Sequence, residues 1–186
     1  MSKFHRARPA LAAALLVALA TGGAVAATDP AAIPVDQASA AYLKVLRGAV
    51  TTGWTEGQFT AWNDAGQQTE NNSNAQCITP SQGNELPDSL AEMFTGFTKD
   101  SHCKTTAYVP GTLRFAMICT KGDKTLSFDS SGSFASDSLD LTVKLKATGK
   151  DAPDLGSMHV IGKRTRDCTP QEISAATSEA VAKKAD

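Results

Sequence analysis

Leu139-Asp140-Leu141-Thr142-Val143-Lys144-Leu145-Lys146 alternates apolar and polar residues without a break. Successive side chains of a β-strand point to opposite faces. This octapeptide therefore has a dry face of Leu139, Leu141, Val143 and Leu145, and a wet face of Asp140, Thr142, Lys144 and Lys146. A sheet made of such strands is covered on one side only, the habit of antiparallel sheets. The same period runs outward through Leu113, Phe115, Met117 and Cys119, through Leu126, Phe128 and Phe134, and through Met158 and Val160. Turn signals at Pro110-Gly111, Gly122-Asp123, Ser136-Asp137 and the loop from Gly149 to Gly156 divide the region after Cys103 into five strands of a meander.

Upstream, the period changes to that of a helix. Asp36 is placed to cap one, and Ala38, Ala41, Tyr42, Val45, Leu46 and Ala49 form its apolar stripe, with Gly48 near the end. Gly57 to Trp62 and Gln76 to Thr79 read as two strands around a long polar turn. Pro80 to Asn84 reads as a loop. Leu86, Leu90, Met93, Phe94 and Phe97 then give a short inserted helix, with Pro87 in its first turn and Gly96 at its end. Thr169-Pro170-Gln171-Glu172 is a capping box opening a C-terminal helix. The fold class expected is α+β: a curved antiparallel meander of about seven strands, with an N-terminal helix, an inserted helix, a C-terminal helix and two disulfides.

The first 26 residues carry Lys3, Arg6 and Arg8, then the apolar run Leu11 to Ala20, then Ala24-Val25-Ala26. A basic head, an apolar segment and a small-x-small exit predict a secretory signal peptide over 1–26. The remaining organisation expected is a flexible leader over 27–35, one β-rich domain over 36–168 and a helical tail over 169–186. Cleavage would leave 15 basic against 19 acidic residues. That balance gives no electrostatic case for nucleic acid as a partner. Beyond the signal no apolar run approaches the roughly 20 residues of a spanning helix. The compartment implied is the bacterial periplasm or the exterior.

An oxidising compartment decides how Cys77, Cys103, Cys119 and Cys168 are read: an even count with no close pairs predicts two disulfides, not a metal site. In an up-and-down meander Cys119 and Cys168 fall at opposite ends of the sheet. Cys103 and Cys119 flank one hairpin at nearly matching offsets, which favours Cys103–Cys119 and leaves Cys77–Cys168. A two-residue turn would put Cys119 on the wrong face, so that pairing requires a longer loop or a bulge. Without one, Cys77–Cys103 competes.

Gly57-Gln58-Phe59-Thr60, Gln76-Cys77-Ile78-Thr79-Pro80, Cys103-Lys104 before the hairpin to Cys119, and Ile161-Gly162-Lys163-Arg164 before Asp167-Cys168 together resemble DUF3617, a family of small exported bacterial proteins. The resemblance covers about residues 55 to 168. Phe59 stands where that family usually has Trp, Thr60 where it has Glu, and Arg166 where Gly is common. The resemblance implies an exported β-rich domain and no assigned activity.

No catalytic, cofactor-binding or metal-binding residues are expected. Asp129-Ser130-Ser131-Gly132-Ser133 matches a DxSxS string but falls inside a strand, where the bland reading is polar strand residues. His102 and His159 stand near no nucleophile or carboxylate pattern, and GxSxG and HExxH do not occur. Two surfaces remain. Phe115, Met117, Phe128, Phe134, Leu141, Val143, Leu145 and Met158 make an apolar face that is either a core under the helices or the lining of a site for a lipid-like ligand. Lys144, Lys146 and Lys163 form a wet-face patch suited to an anionic partner, or simply a solvated strand. The function expected is non-enzymatic binding of a small apolar or amphiphilic envelope ligand. The alternatives are an envelope stress or assembly factor acting through protein contacts, and a hydrolase with an unseen site.

Overall fold

The computed structural model describes residues 33–183. The expected signal peptide and most of the expected leader lie outside them. The described elements are α1 (Val35–Ala49), β1 (Gly53–Trp62), β2 (Gln68–Ile78), α2 (Pro80–Gly83), α3 (Glu85–Thr98), β3 (His102–Tyr108), β4 (Phe115–Lys121), β5 (Lys124–Phe134), β6 (Ser138–Thr148), β7 (Gly156–Arg166) and α4 (Pro170–Lys183). All seven strands form one antiparallel sheet in the order β2-β1-β7-β6-β5-β4-β3. The sheet stays open, since β2 and β3 are its two edges and do not pair.

β3 to β7 are the expected meander, and β1 then joins its far side by pairing with β7. Their common dry face carries the core. α1 and α3 lie across the β4–β6 part of it and bury Tyr42, Leu46, Leu90, Phe94, Phe115, Met117, Phe128, Leu141 and Val143. Tyr42 from α1 and Phe94 from α3 pack with Phe115 and Phe128 in a four-ring cluster, centroids 4.8 to 6.3 Å apart. At the rim Arg47 of α1 reaches Asp88 of α3 at 2.8 Å.

Both disulfides pair as the hairpin reading favours: Cys103–Cys119 and Cys77–Cys168. The face problem at Cys119 is solved twice over. A six-residue connection replaces a tight turn, and a bulge between Thr105 and Ala107 shifts the register so that Cys103 sits directly opposite Cys119.

Several boundaries differ from the sequence reading. The long polar turn expected between residues 62 and 76 is mostly strand: β2 begins at Gln68, leaving only a short turn in which the Asn63 and Gln67 amides bond one another. Pro80–Gly83 is a helical turn, because Thr79 and Gln82 make a reciprocal capping box. Asp36 lies in the first turn of α1, whose cap position is Pro34 with no side-chain bond. Gly96 does not end α3, which runs on to Thr98. The Thr169–Glu172 box opens α4 as expected, with the Thr169 N–H donating to the Glu172 carboxylate at 2.8 Å.

Candidate functional site

The eight residues proposed for a ligand-lining face fall into three groups. Phe115, Met117, Phe128, Leu141 and Val143 are closed off beneath α1 and α3, at most 1 % exposed. They are core, because two amphipathic helices packing on that half of the sheet leave no space between. Phe134 is 42 % exposed at the end of β5. Leu145 and Met158 are half-buried and border a depression.

The helices stop short of the other half of the same face, formed by β7, β1 and β2. There the register places Leu139, Gly162 and Gly57 in one row across three strands, and Leu141, Val160 and Phe59 in the next. The glycine pair removes two side chains from the floor. A Cβ at Gly162 would sit in ordinary contact with Thr55 at 3.6 Å and Thr51 at 3.7 Å, so the floor there has room for a methyl and little more. The result is an apolar groove of about 340 Å³, with Phe59, Leu139 and Val160 as its bed, and Val50, Ile78 and Leu86 as its inner wall. Its outer rim is Glu70, Asn72, Asn74 and Gln76 from β2. An apolar bed with a rim of amides can hold a hydrocarbon and orient a polar end.

The groove continues in both directions. Past Phe59 it meets a depression of about 360 Å³ bordered by Ala61, Trp62, Leu145, Leu155 and Met158. Past Val50, Thr51 and Ile78 it meets a more polar cleft of about 560 Å³ that holds Arg164, Asp167 and the Cys77–Cys168 bridge. Arg164 is paired with Asp167 there. α4 is fixed nearby: Arg166 lies over the Trp54 ring at 4.4 Å and forks onto Glu172 at 2.7 and 2.9 Å. That fork, with the Thr169 N–H, holds the half-buried Glu172 carboxyl down at about 2.

The lysines do not form one patch. All three are exposed on the uncovered wet face, but Lys144 pairs across to Ser157 while Lys163 pairs to Ser138, six residues away along β6, roughly 20 Å. Glu56 stands opposite Lys163 on β1. In the DxSxS string the carboxylate is engaged, and the serine beside it is an intervening residue used by the core. Asp129 takes the Arg114 guanidinium, while Ser130 turns to the core and bonds Tyr42. Among the described residues no group of three or more His, Cys, Asp or Glu is placed to hold a metal ion. Contrary to the sequence reading, His159 does have a carboxylate partner, Asp140 at 2.8 Å, supplied diagonally by the neighbouring strand. That pair lines none of the three cavities described above.

Sequence reasoning missed the groove because its floor depends on Gly57 and Gly162 lying opposite each other, a pairing between strands near opposite ends of the domain. The available signal was the pair of motif glycines, Gly57-Gln58-Phe59 and Gly162-Lys163-Arg164, both at positions otherwise in strand period.

An open, one-sided antiparallel sheet, half sealed by helices, half grooved and stapled by two disulfides, defines the class of domain. The family model described as a protein of unknown function, DUF3617, matches residues 44–168, and the chain belongs to that family. No curated protein and no solved structure matches it.

Proposed function

We propose that the chain is exported to a bacterial periplasm or beyond and acts there, without catalysis, by binding a small apolar or amphiphilic molecule in the groove of β1, β2 and β7. The observation that carries this reading is the glycine-floored groove: an apolar bed on a sheet whose other half the helices seal completely. An exposed trough of this kind costs solvation unless something fills it. Two structural disulfides and a described region with no helix long and apolar enough to cross a membrane agree with export in water-soluble form.

The test is the protein purified from a periplasm without detergent and weighed by native mass spectrometry, followed by titration with a fluorescent long-chain fatty acid. Gly162→Ala raises the floor of the groove by one methyl, which the fold takes in ordinary contact with Thr55 and Thr51. Affinity for the probe is expected to fall at least roughly tenfold in that variant with an unchanged melting temperature, a loss of about 1.4 kcal/mol of binding. A wild-type protein that carries no adduct and takes no probe would sink the reading.

A further inference from the structure

The two edges of the sheet are finished differently. β3 is seven residues long, carries Lys104, is broken by the bulge at Thr105/Ala107, and its Thr105 hydroxyl donates to the Ile33 carbonyl at 2.8 Å. Short length, lysine, a bulge and an adjoining segment are the devices that keep an edge from pairing. β2 carries a bulge at Thr69, where its register with β1 shifts, but has neither lysine nor bulge from Glu70 to Gln76. Every residue of that run is exposed, none is Lys, Arg, Pro or Gly, and Glu70 is its one charge. α4 packs against β2 and is held to its far end by the Cys77–Cys168 bridge.

We infer that β2 pairs antiparallel with β2 of a second copy of this chain, joining two seven-stranded sheets into one about a two-fold axis. A second copy fits because the strand is complementary to itself. Asn71, Asn72 and Asn74 each carry an amide that both donates and accepts, so matching strands can set amide against amide. With the axis at Asn72, Asn71 lies opposite Ser73 and Glu70 opposite Asn74 of the other copy, so the joint stays clear of the bulge and no like charges meet. The same register leaves Ala75 to Ile78, and the α4 attachment, outside the joint. Antiparallel pairing about such an axis puts both apolar faces on one side. Each groove is then walled by the other copy beyond its own rim of Asn72 and Asn74.

The pairing does not depend on what fills the groove, and its test is built to spare the groove. Asn71 and Ser73 point to the face opposite Asn72 and Asn74, away from the groove, so substitutions there leave ligand binding to be read separately. Sedimentation of the mature wild-type protein from micromolar to millimolar concentration is expected to show a monomer–dimer equilibrium. N71K/S73K and N71E/S73E each set like charges across the joint and are expected to raise the dimer dissociation constant by at least about tenfold. An equimolar mixture of the two is expected to dimerise again, to within about threefold of wild type. Hydrogen exchange on the wild type gives an independent reading should either variant fold poorly. Amides of Glu70 to Asn74 gain protection as concentration rises. A wild type that stays monomeric throughout, a mixture that does not recover, or concentration-dependent protection confined to another surface would overturn the inference.

Discussion

At the scale of residues, the most consequential polar group in the core is the Tyr42 hydroxyl. It lies 2.8 Å from the Ser130 hydroxyl, which in turn donates to the Leu113 carbonyl at 3.1 Å. Ser130 has one proton and gives it to Leu113, so Tyr42 donates to Ser130. The asymmetry sets the mutational ranking. Tyr42→Phe removes one bond and leaves Ser130 its carbonyl partner, a loss of about 1 kcal/mol. Ser130→Ala strands both the Tyr42 proton and the Leu113 carbonyl in the core, and is expected to cost roughly 2 to 4 kcal/mol. Urea unfolding of the two variants and of the double variant checks this. The double should fall well short of the summed single effects, because Phe removes the group that Ala leaves stranded. Burial also pushes the Tyr42 phenol up to about 12, against the opposing pull of Ser130. Its folded pKa is raised above the unfolded value of about 10, so its contribution is complete below pH 10 and is lost as the pH climbs toward 12. The loss is on the order of 2 kcal/mol. A stability profile between pH 9 and 12 should fall for the wild type more steeply than for Tyr42→Phe, and parallel profiles would contradict the assignment.

At the scale of elements, the two disulfides hold different lengths of chain. Cys77–Cys168 spans 91 residues and fixes β2 to the end of β7, whereas Cys103–Cys119 spans 16 and staples a single hairpin. Cross-linking removes entropy from the unfolded chain roughly as the logarithm of loop length. Removing the long bridge as Cys77→Ala/Cys168→Ala is therefore expected to cost about 1.5 kcal/mol more than Cys103→Ala/Cys119→Ala, read as the difference in unfolding free energy of the oxidised proteins. Which elements the sequence made legible follows the same physics. β4 to β7 could be read because one face is dry and one is wet, which stamps period two on the residues. β2 could not. Both its faces are wet, and its Asn, Gln and Ser residues are poor strand formers, so only the ladder with β1 makes it a strand. The eight apolar residues were chosen by period. Period fixes which face a side chain joins, but not how far α1 and α3 extend over that face. Five of the eight are consequently core, and the groove lies two strands further along.

At the scale of the whole molecule, the sheet is sealed on one half and open on the other, and the difference must appear in its local stability. Over β4 to β6 each strand is covered by the Tyr42, Phe94, Phe115 and Phe128 cluster, and opening it would expose the densest apolar packing in the domain. β2 is bonded along one side only, its residues from Gln68 to Gln76 are exposed, and what holds it is β1 along its length and Cys77 at its end. Segments with few buried contacts open at a fraction of the global unfolding free energy. In native-state hydrogen exchange at low protein concentration, the amides of β4, β5 and β6 should exchange only by global unfolding, while those of β2 up to Gln76 exchange orders of magnitude faster. Phe59, Leu139 and Val160 link this loose half to the groove, so an apolar occupant bound there adds its binding free energy to the closed state of β1 and β2. Saturation with the fatty-acid probe is expected to slow exchange in β1, β2 and β7 and to leave β4 and β5 unchanged. Uniform slowing across all seven strands would mean that the probe stabilises the fold as a single unit, and that the open half is no softer than the sealed one.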